Sequence, residues 1–203
     1  MKGTPQPRWG RWMWCALPYA VGALCLLAMA ALYLGYSQSR AGTMLSAPLD
    51  DTFIHFQYAK QLASGQFLRF NDGDSPTTGA TSVLYMFLLA PGWLLGFRGL
   101  NLLIWAWIIN SALHVRAGVA LFQLLRRVSG GGTAGAYGGM LVFLGCGPLL
   151  WGVFSQMEIA LFSALIMLTL EAAHALSAED AAEEEVPAAG RRTPRLRLLL
   201  WGS

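Results

Sequence analysis

The chain has 203 residues, of which 55% are hydrophobic and only 12% charged, with a formal net charge of +3. Roughly 25% charged residues is usual for a globular domain, and here whole stretches, 12–39, 75–97 and 128–157, carry none. A helix crosses the bilayer core with about 20 apolar residues, so the composition excludes a soluble enzyme or a nucleic-acid binder and predicts an all-α integral membrane protein with the lipid bilayer as its medium.

The chain starts with Lys2, Arg8 and Arg11, then enters an apolar segment over 14–36. That segment is too long for a signal-peptide core of about 7–15 residues. It reads as an uncleaved first span with a cytoplasmic basic flank, and Trp9, Trp12 and Trp14 suit the interface there. A loop over 37–81 then lies outside. Segment 81–97 is apolar with Pro91 and Gly92 in its middle; 100–125 contains Asn110, His114 and Arg116 and ends in Arg126 and Arg127. Segments 134–150 and 159–176 follow as uninterrupted spans, with a turn around 151–158 between them.

Excess Lys and Arg on cytoplasmic loops chooses the topology. If 81–97 crosses the membrane, Arg126–Arg127 and the cluster Arg191, Arg192, Arg195 and Arg197 fall outside. If it is a re-entrant or interfacial helix, every basic cluster falls inside. The second arrangement predicts about four transmembrane helices and one partial one, the external loop carrying the interfacial and re-entrant helices. The module covers 1–176. A charged, flexible cytoplasmic connector (177–197, with Glu179, Asp180 and Glu183–Glu185) follows, and Leu198–Trp201 within 198–203 resembles the first turn of a truncated further span. Gly131, Gly135 and Gly139, four residues apart, predict close helix approach. Cys15, Cys25 and Cys146 have no metal-ligand spacing and read as small apolar filler.

The polar chemistry lies in the external loop. From Asp50 to Gly65, after Pro48, the pattern predicts a helix of about four turns, with Ile54, Tyr58 and Leu62 on one face, suited to the membrane surface. Asp50 and Asp51 sit at its start, where carboxylates cap the helix and complement its dipole. Two adjacent carboxylates at a bilayer surface also have the chemistry of a general base or of divalent-cation ligands. Lys60 and Arg69, with His55, are candidates for binding a phosphate group of a substrate. A divalent metal is compatible with these carboxylates but not indicated by any spacing, and the residues leave the cofactor undefined.

The run Asp50–Gly65, followed by Phe70-Asn71-Asp72-Gly73-Asp74-Ser75-Pro76 and Thr78-Gly79-Ala80-Thr81-Ser82, resembles the first external loop of GT-C fold membrane glycosyltransferases, in particular bacterial arabinofuranosyl- and mannosyltransferase-like members. A second match, Ser155-Gln156-Met157-Glu158 with Ala160-Leu161-Phe162, is similar to the family's Ser-Gly-Met/Leu-Glu-Thr-x-Leu-Phe. The resemblance covers about 14–176, the N-terminal part of a usual member. It implies transfer of a sugar from a polyprenyl-phosphate donor to an external acceptor hydroxyl, in the bacterial plasma membrane. It also implies Asp50 as base, with Asp51 and Glu158 as supporting acids that orient the acceptor or, in some relatives, a divalent metal. The chain departs from the family at Gln57, where an arginine is usual, at Gly79-Ala80-Thr81-Ser82, which lacks the usual tyrosine, and at Gln156, which replaces glycine. Two further readings stand beside this one: a non-catalytic scaffold or partner subunit of the same fold, and, more distantly, a transporter, against which His114 and Arg116 have no evident acidic partner.

Overall fold

The computed structural model describes residues 8–41 and 47–184, with side chains placed for 16–40 and 47–178. The N-terminal basic flank beyond its helical backbone, most of the connector and the 198–203 segment lie outside the described residues. Within them the chain forms seven α-helices and no strand: α1 (Arg8–Ala41), α2 (Asp51–Ala63), α3 (Val83–Leu94), α4 (Leu102–Val128), α5 (Thr133–Leu144), α6 (Gly147–Phe154) and α7 (Ile159–Glu184), with a 3₁₀ turn at Gly99–Asn101. Three helical segments are long and apolar enough to cross a membrane: Ala16–Arg40, Gly99–Val128 and Ile159–Ala178. The pair α5–α6, bent by 54°, makes a fourth if it is one span. The protein is therefore an all-helical membrane protein.

Several expectations change in detail. Segment 134–150 is not an uninterrupted span, and the reason is Pro148 in the first turn of α6. Proline has no N–H to give the carbonyl four residues back, which leaves Leu144 O without a helical donor. His114 of α4 supplies the missing donor through Nε2, at 3.2 Å. Trp151–Phe154 belongs to α6, so the expected turn over 151–158 shrinks to 155–158. At the far end α7 continues as helix to Glu184, through residues expected to begin a flexible connector.

Pro91 and Gly92 do not break α3, which runs on to Leu94. Gly92 instead admits the indole of Trp105, whose Nε1 donates to Leu88 O at 2.9 Å; a Cβ on Gly92 would lie 2.3 Å from the ring. At 1.5 Å per residue, α3 is about 18 Å long, short of a bilayer core of about 30 Å.

Helix α4 is the central post. One face joins α2, α3 and the start of α7 in a core of Phe56, Tyr85, Leu89, Leu102, Leu103 and Leu161. Another meets α1 and α5 through Val119, Phe122, Met140 and Leu144. The expected glycine stripe contributes at one position: a Cβ on Gly139 would meet Leu125 at 2.4 Å, whereas Gly135 faces open space and Gly131 adopts φ +101 in the preceding turn. Arg116 has an acidic partner after all. Its Nη2 lies 3.0 Å from Glu171 Oε2, on the α7 segment expected to be free of interruption, and Arg127 Nη2 is 3.9 Å from the same carboxylate. The Glu171 side chain is 9% exposed, so the α4–α7 contact encloses a charge together with its counter-charge.

Gly92→Ala should push the Trp105 ring aside and break its bond to Leu88, lowering stability by about 1–3 kcal/mol as overpacking does. At Gly138 an added Cβ would meet no atom within 4 Å, so that position should accept alanine without loss. Thermal unfolding of the two purified variants in detergent checks the contrast.

Candidate functional site

The turn between α6 and α7 is held by other helices. Three side chains from outside it bond to its backbone carbonyls: Thr52 Oγ1 of α2 donates to Ser155 O at 2.8 Å, Tyr85 OH of α3 to Gln156 O at 2.9 Å, and Asn110 Nδ2 of α4 to Met157 O at 3.0 Å. Asn110 also reaches Val153 O, more loosely, at 3.5 Å. Gln156 sits at φ +56, the left-handed region that favours glycine. Its buried side chain turns back to donate to Phe154 O, a local bond that supports the conformation. The turn thereby presents Glu158 just ahead of the first residue of α7.

Glu158 meets two residues of the external-loop motifs. Thr81 Oγ1 donates to Glu158 Oε1 at 2.7 Å and lies 3.2 Å from His55 Nε2. Because the threonine's single proton goes to the carboxylate, its oxygen accepts from His55, which fixes the Nε2–H tautomer. Nε2 is also 3.1 Å from Glu158 Oε2, off the direction of a hydrogen bond. His55 is 2% exposed and its Nδ1 is buried without a partner. Burial holds its pKa below the ordinary histidine value, against the opposing pull of Glu158 and, more weakly, of Asp51. A neutral imidazole with one N–H committed to Thr81 follows.

Thr81 is delivered by its own loop. Gly79 N donates to Tyr58 OH at 3.0 Å, and a Cβ on Gly79 would come within 2.6 Å of that oxygen, so only glycine permits the approach. Ser82 then caps α3 by accepting from Tyr85 N at 3.3 Å. Gln57, at the position where the resemblance has arginine, ties the loop to α2 through Phe70 O at 2.7 Å.

The other candidates fall into two groups. Asp50 and Asp51 are exposed at the start of α2, one turn before His55. Asp50 Oδ1 accepts from Asp51 N at 3.1 Å, and its carbonyl accepts from Phe53 N at 2.9 Å, so it serves the helix start. The Thr52–Ser155 bond holds that helix start against the turn that carries Glu158. Lys60 and Arg69 do not join this cluster: Lys60 Nζ lies over the Trp93 ring near the opposite end of α3, and Arg69 makes no ion pair among the described residues. Nor does any group of three or more His, Cys, Asp or Glu among the described residues have metal-holding geometry. The surface stripe expected from Ile54, Tyr58 and Leu62 packs on Ala80, Met86 and Leu68.

An open groove of about 380 Å³ runs from this cluster between α3 and α7. Thr81, Ser82 and Glu158 form its polar end, and Leu84, Phe162 and Leu165 its apolar wall. The Glu158 side chain is 24% exposed, with Oε2 buried beside His55 and Oε1 bonded by Thr81. Sequence reasoning does not single out Thr81, Tyr85 or Asn110 as site candidates; Thr81 has a signal, its place in the loop motif, and the other two are legible only from packing. No family model, curated protein or solved structure matches this chain.

The His55 environment has a consequence for stability. With the folded-state pKa below about 6.5, the unfolded chain binds the proton more readily, so the stabilising contribution is complete above that pH and declines as pH falls toward the folded value. Melting in detergent from pH 7.5 to pH 5 should show a progressive loss. His55→Gln, which keeps an N–H for Thr81 and does not titrate, should flatten that part of the curve.

Proposed function

We propose that this chain is a membrane glycosyltransferase, or the N-terminal part of one, that takes a sugar from a polyprenyl-phosphate donor and transfers it to an acceptor hydroxyl on the external face of a bacterial plasma membrane. The observation that carries this reading is the joining of two distant acidic segments. The Asp50–Asp51 start of α2 and the Glu158 turn, more than a hundred positions apart in sequence, are bonded to each other through Thr52 and Ser155. An apolar groove leads away from Glu158, which suits a lipid-linked substrate whose polar head lies at the carboxylate and whose chain follows Leu84, Phe162 and Leu165.

In this reading the Asp50 carboxylate takes the proton of the acceptor hydroxyl as its oxygen bonds to the sugar's anomeric carbon. The bond from that carbon to phosphate breaks, and its electron pair leaves on the polyprenyl phosphate. Asp51 and Glu158 orient the acceptor, and Thr81 and His55 hold Glu158 in place. The competing reading, a non-catalytic scaffold, draws on the bond from Asp51 N to Asp50, which is what a plain helix cap makes.

Magnitude separates the two. Asparagine caps about as well as aspartate but cannot accept the proton, and a positioned base contributes about 10²–10⁴-fold in rate. Asp50→Asn should therefore reduce transfer from radiolabelled polyprenyl-phosphate sugars by at least about a hundredfold at normal membrane levels, and Asp51→Asn far less. Wild-type activity in Asp50→Asn would leave Asp50 a cap.

The proposed orientation places the N-terminus and the end of α7 in the cytoplasm and Asp50 and Glu158 outside. Single cysteines at Ser75, Ser129 and Ser177, in a background lacking native cysteines, test it. A membrane-impermeant thiol reagent added outside should label only the first; labelling at Ser129 would overturn the arrangement.

A further inference from the structure

The two ends of α3 lie at different levels along α4: Tyr85 bonds the turn that Asn110 also holds, and Leu88 bonds Trp105 nearer the start of α4. At the start of α3, Thr81 bonds Glu158, which immediately precedes the candidate span Ile159–Ala178. At its end, Arg98 immediately precedes the candidate span Gly99–Val128. The two spans run in the same direction but out of step: Asn110, well inside the first, bonds Met157 just before the second, and Glu171 meets Arg116 and Arg127 farther along. Arg98 thus marks the start of one span, while Glu158 lies farther along it, beside Asn110.

Two cations lie over the same ring near the Arg98 end. Lys60 Nζ of α2 lies 5.9 Å from the centre of the Trp93 ring and Arg98 Cζ 5.8 Å from the same centre. No carboxylate among the described residues is within ion-pairing distance of either. Tryptophan favours the headgroup level of a bilayer, and a cation held over an aromatic face keeps N–H groups free for an anion. The C-terminal end of α3 favours nearby positive charge but does not neutralise two of them. Beside the cations, Leu94, Leu95 and Leu100 are 69%, 68% and 59% exposed. Positive groups at headgroup level above an exposed apolar surface match a lipid with a charged phosphate head and hydrocarbon tails.

We propose that Lys60 and Arg98, flanking Trp93, form a binding site for the phosphate head of an anionic membrane phospholipid, whose chains lie against Leu94, Leu95 and Leu100. The site is at the other end of α3 from Glu158 and does not depend on the glycosyltransferase reading. It gives Lys60 a phosphate-binding role away from the candidate catalytic cluster.

The full chain, purified in detergent, is titrated with phosphatidylglycerol or phosphatidylcholine and the bound lipid counted by native mass spectrometry. Phosphatidylglycerol should bind preferentially. The double variant Lys60→Gln/Arg98→Gln should weaken that binding at least tenfold, and Arg98→Gln alone should weaken it measurably, while Arg98→Lys and Arg69→Gln retain it. Millimolar inorganic phosphate should not displace the lipid, because it lacks the apolar part. Undiminished lipid binding in the double variant, an equal loss in Arg69→Gln, or displacement by inorganic phosphate would each overturn the proposal. Arg98→Gln changes an exposed side chain and keeps the test decisive if the double variant does not fold.

Discussion

A helix broken within a bilayer strands carbonyls that no water can reach, and each must find a donor inside the protein. The break between α5 and α6, and the end of α6 a few residues later, set the placement of nearly every polar side chain around them. His114 answers Leu144 O, which Pro148 leaves without a partner. Asn110, Thr52 and Tyr85 answer Met157, Ser155 and Gln156. These donors come from α4, α2 and α3, so the break is also what fastens the short helices to the long ones.

That arrangement separates support from chemistry. A bond made by Thr52 or Asn110 uses its donor on backbone, fixing the turn without adding charge. Glu158 is different: it is an anion that lines the groove, partly exposed, with Thr81 on one oxygen and His55 beside the other. His55 is kept neutral by burial, so the cluster retains the negative charge of Glu158 instead of cancelling it. A carboxylate held in place beside an apolar groove is pre-organised to meet a polar group that enters it.

How much of this is legible in the sequence depends on the kind of signal. Charge-free stretches mark α1, α3 and the α5–α6 pair, and the long α4 and α7 are apolar despite Arg116 and Glu171. Pro48, Asp50 and Gly65 mark α2 almost to its ends, because helix starts and stops are local chemistry. The short turn between α6 and α7 is legible as a position but not in its length, since Pro148 is a single break within an otherwise apolar stretch. Pro91 misleads in the opposite direction. A Pro–Gly pair usually marks an interruption, yet Gly92 is there to admit Trp105, a tertiary requirement that no local pattern carries. By sequence alone His55 suits a ligand for substrate phosphate; its helix turns it inward, and only the positions of Thr81 and Glu158 show why.

The same logic resolves the charged residues within the spans. Arg116 looks isolated in the sequence because Glu171 sits alone in an apolar stretch more than fifty positions later, and neither residue has a meaning without the other. An ionised group in the hydrocarbon region is tolerated when it faces the bundle and finds a counter-charge, and α4 and α7 provide that geometry. Arg116 thus has the acidic partner whose absence from the local sequence counts against a transport path, while His114 is committed to a carbonyl. What then stands out is α3, with Glu158 at one end and Lys60 and Arg98 at the other. An acid and a pair of cations stand at opposite ends of a helix too short to cross a bilayer, so the two ends of α3 differ in the sign of charge they present.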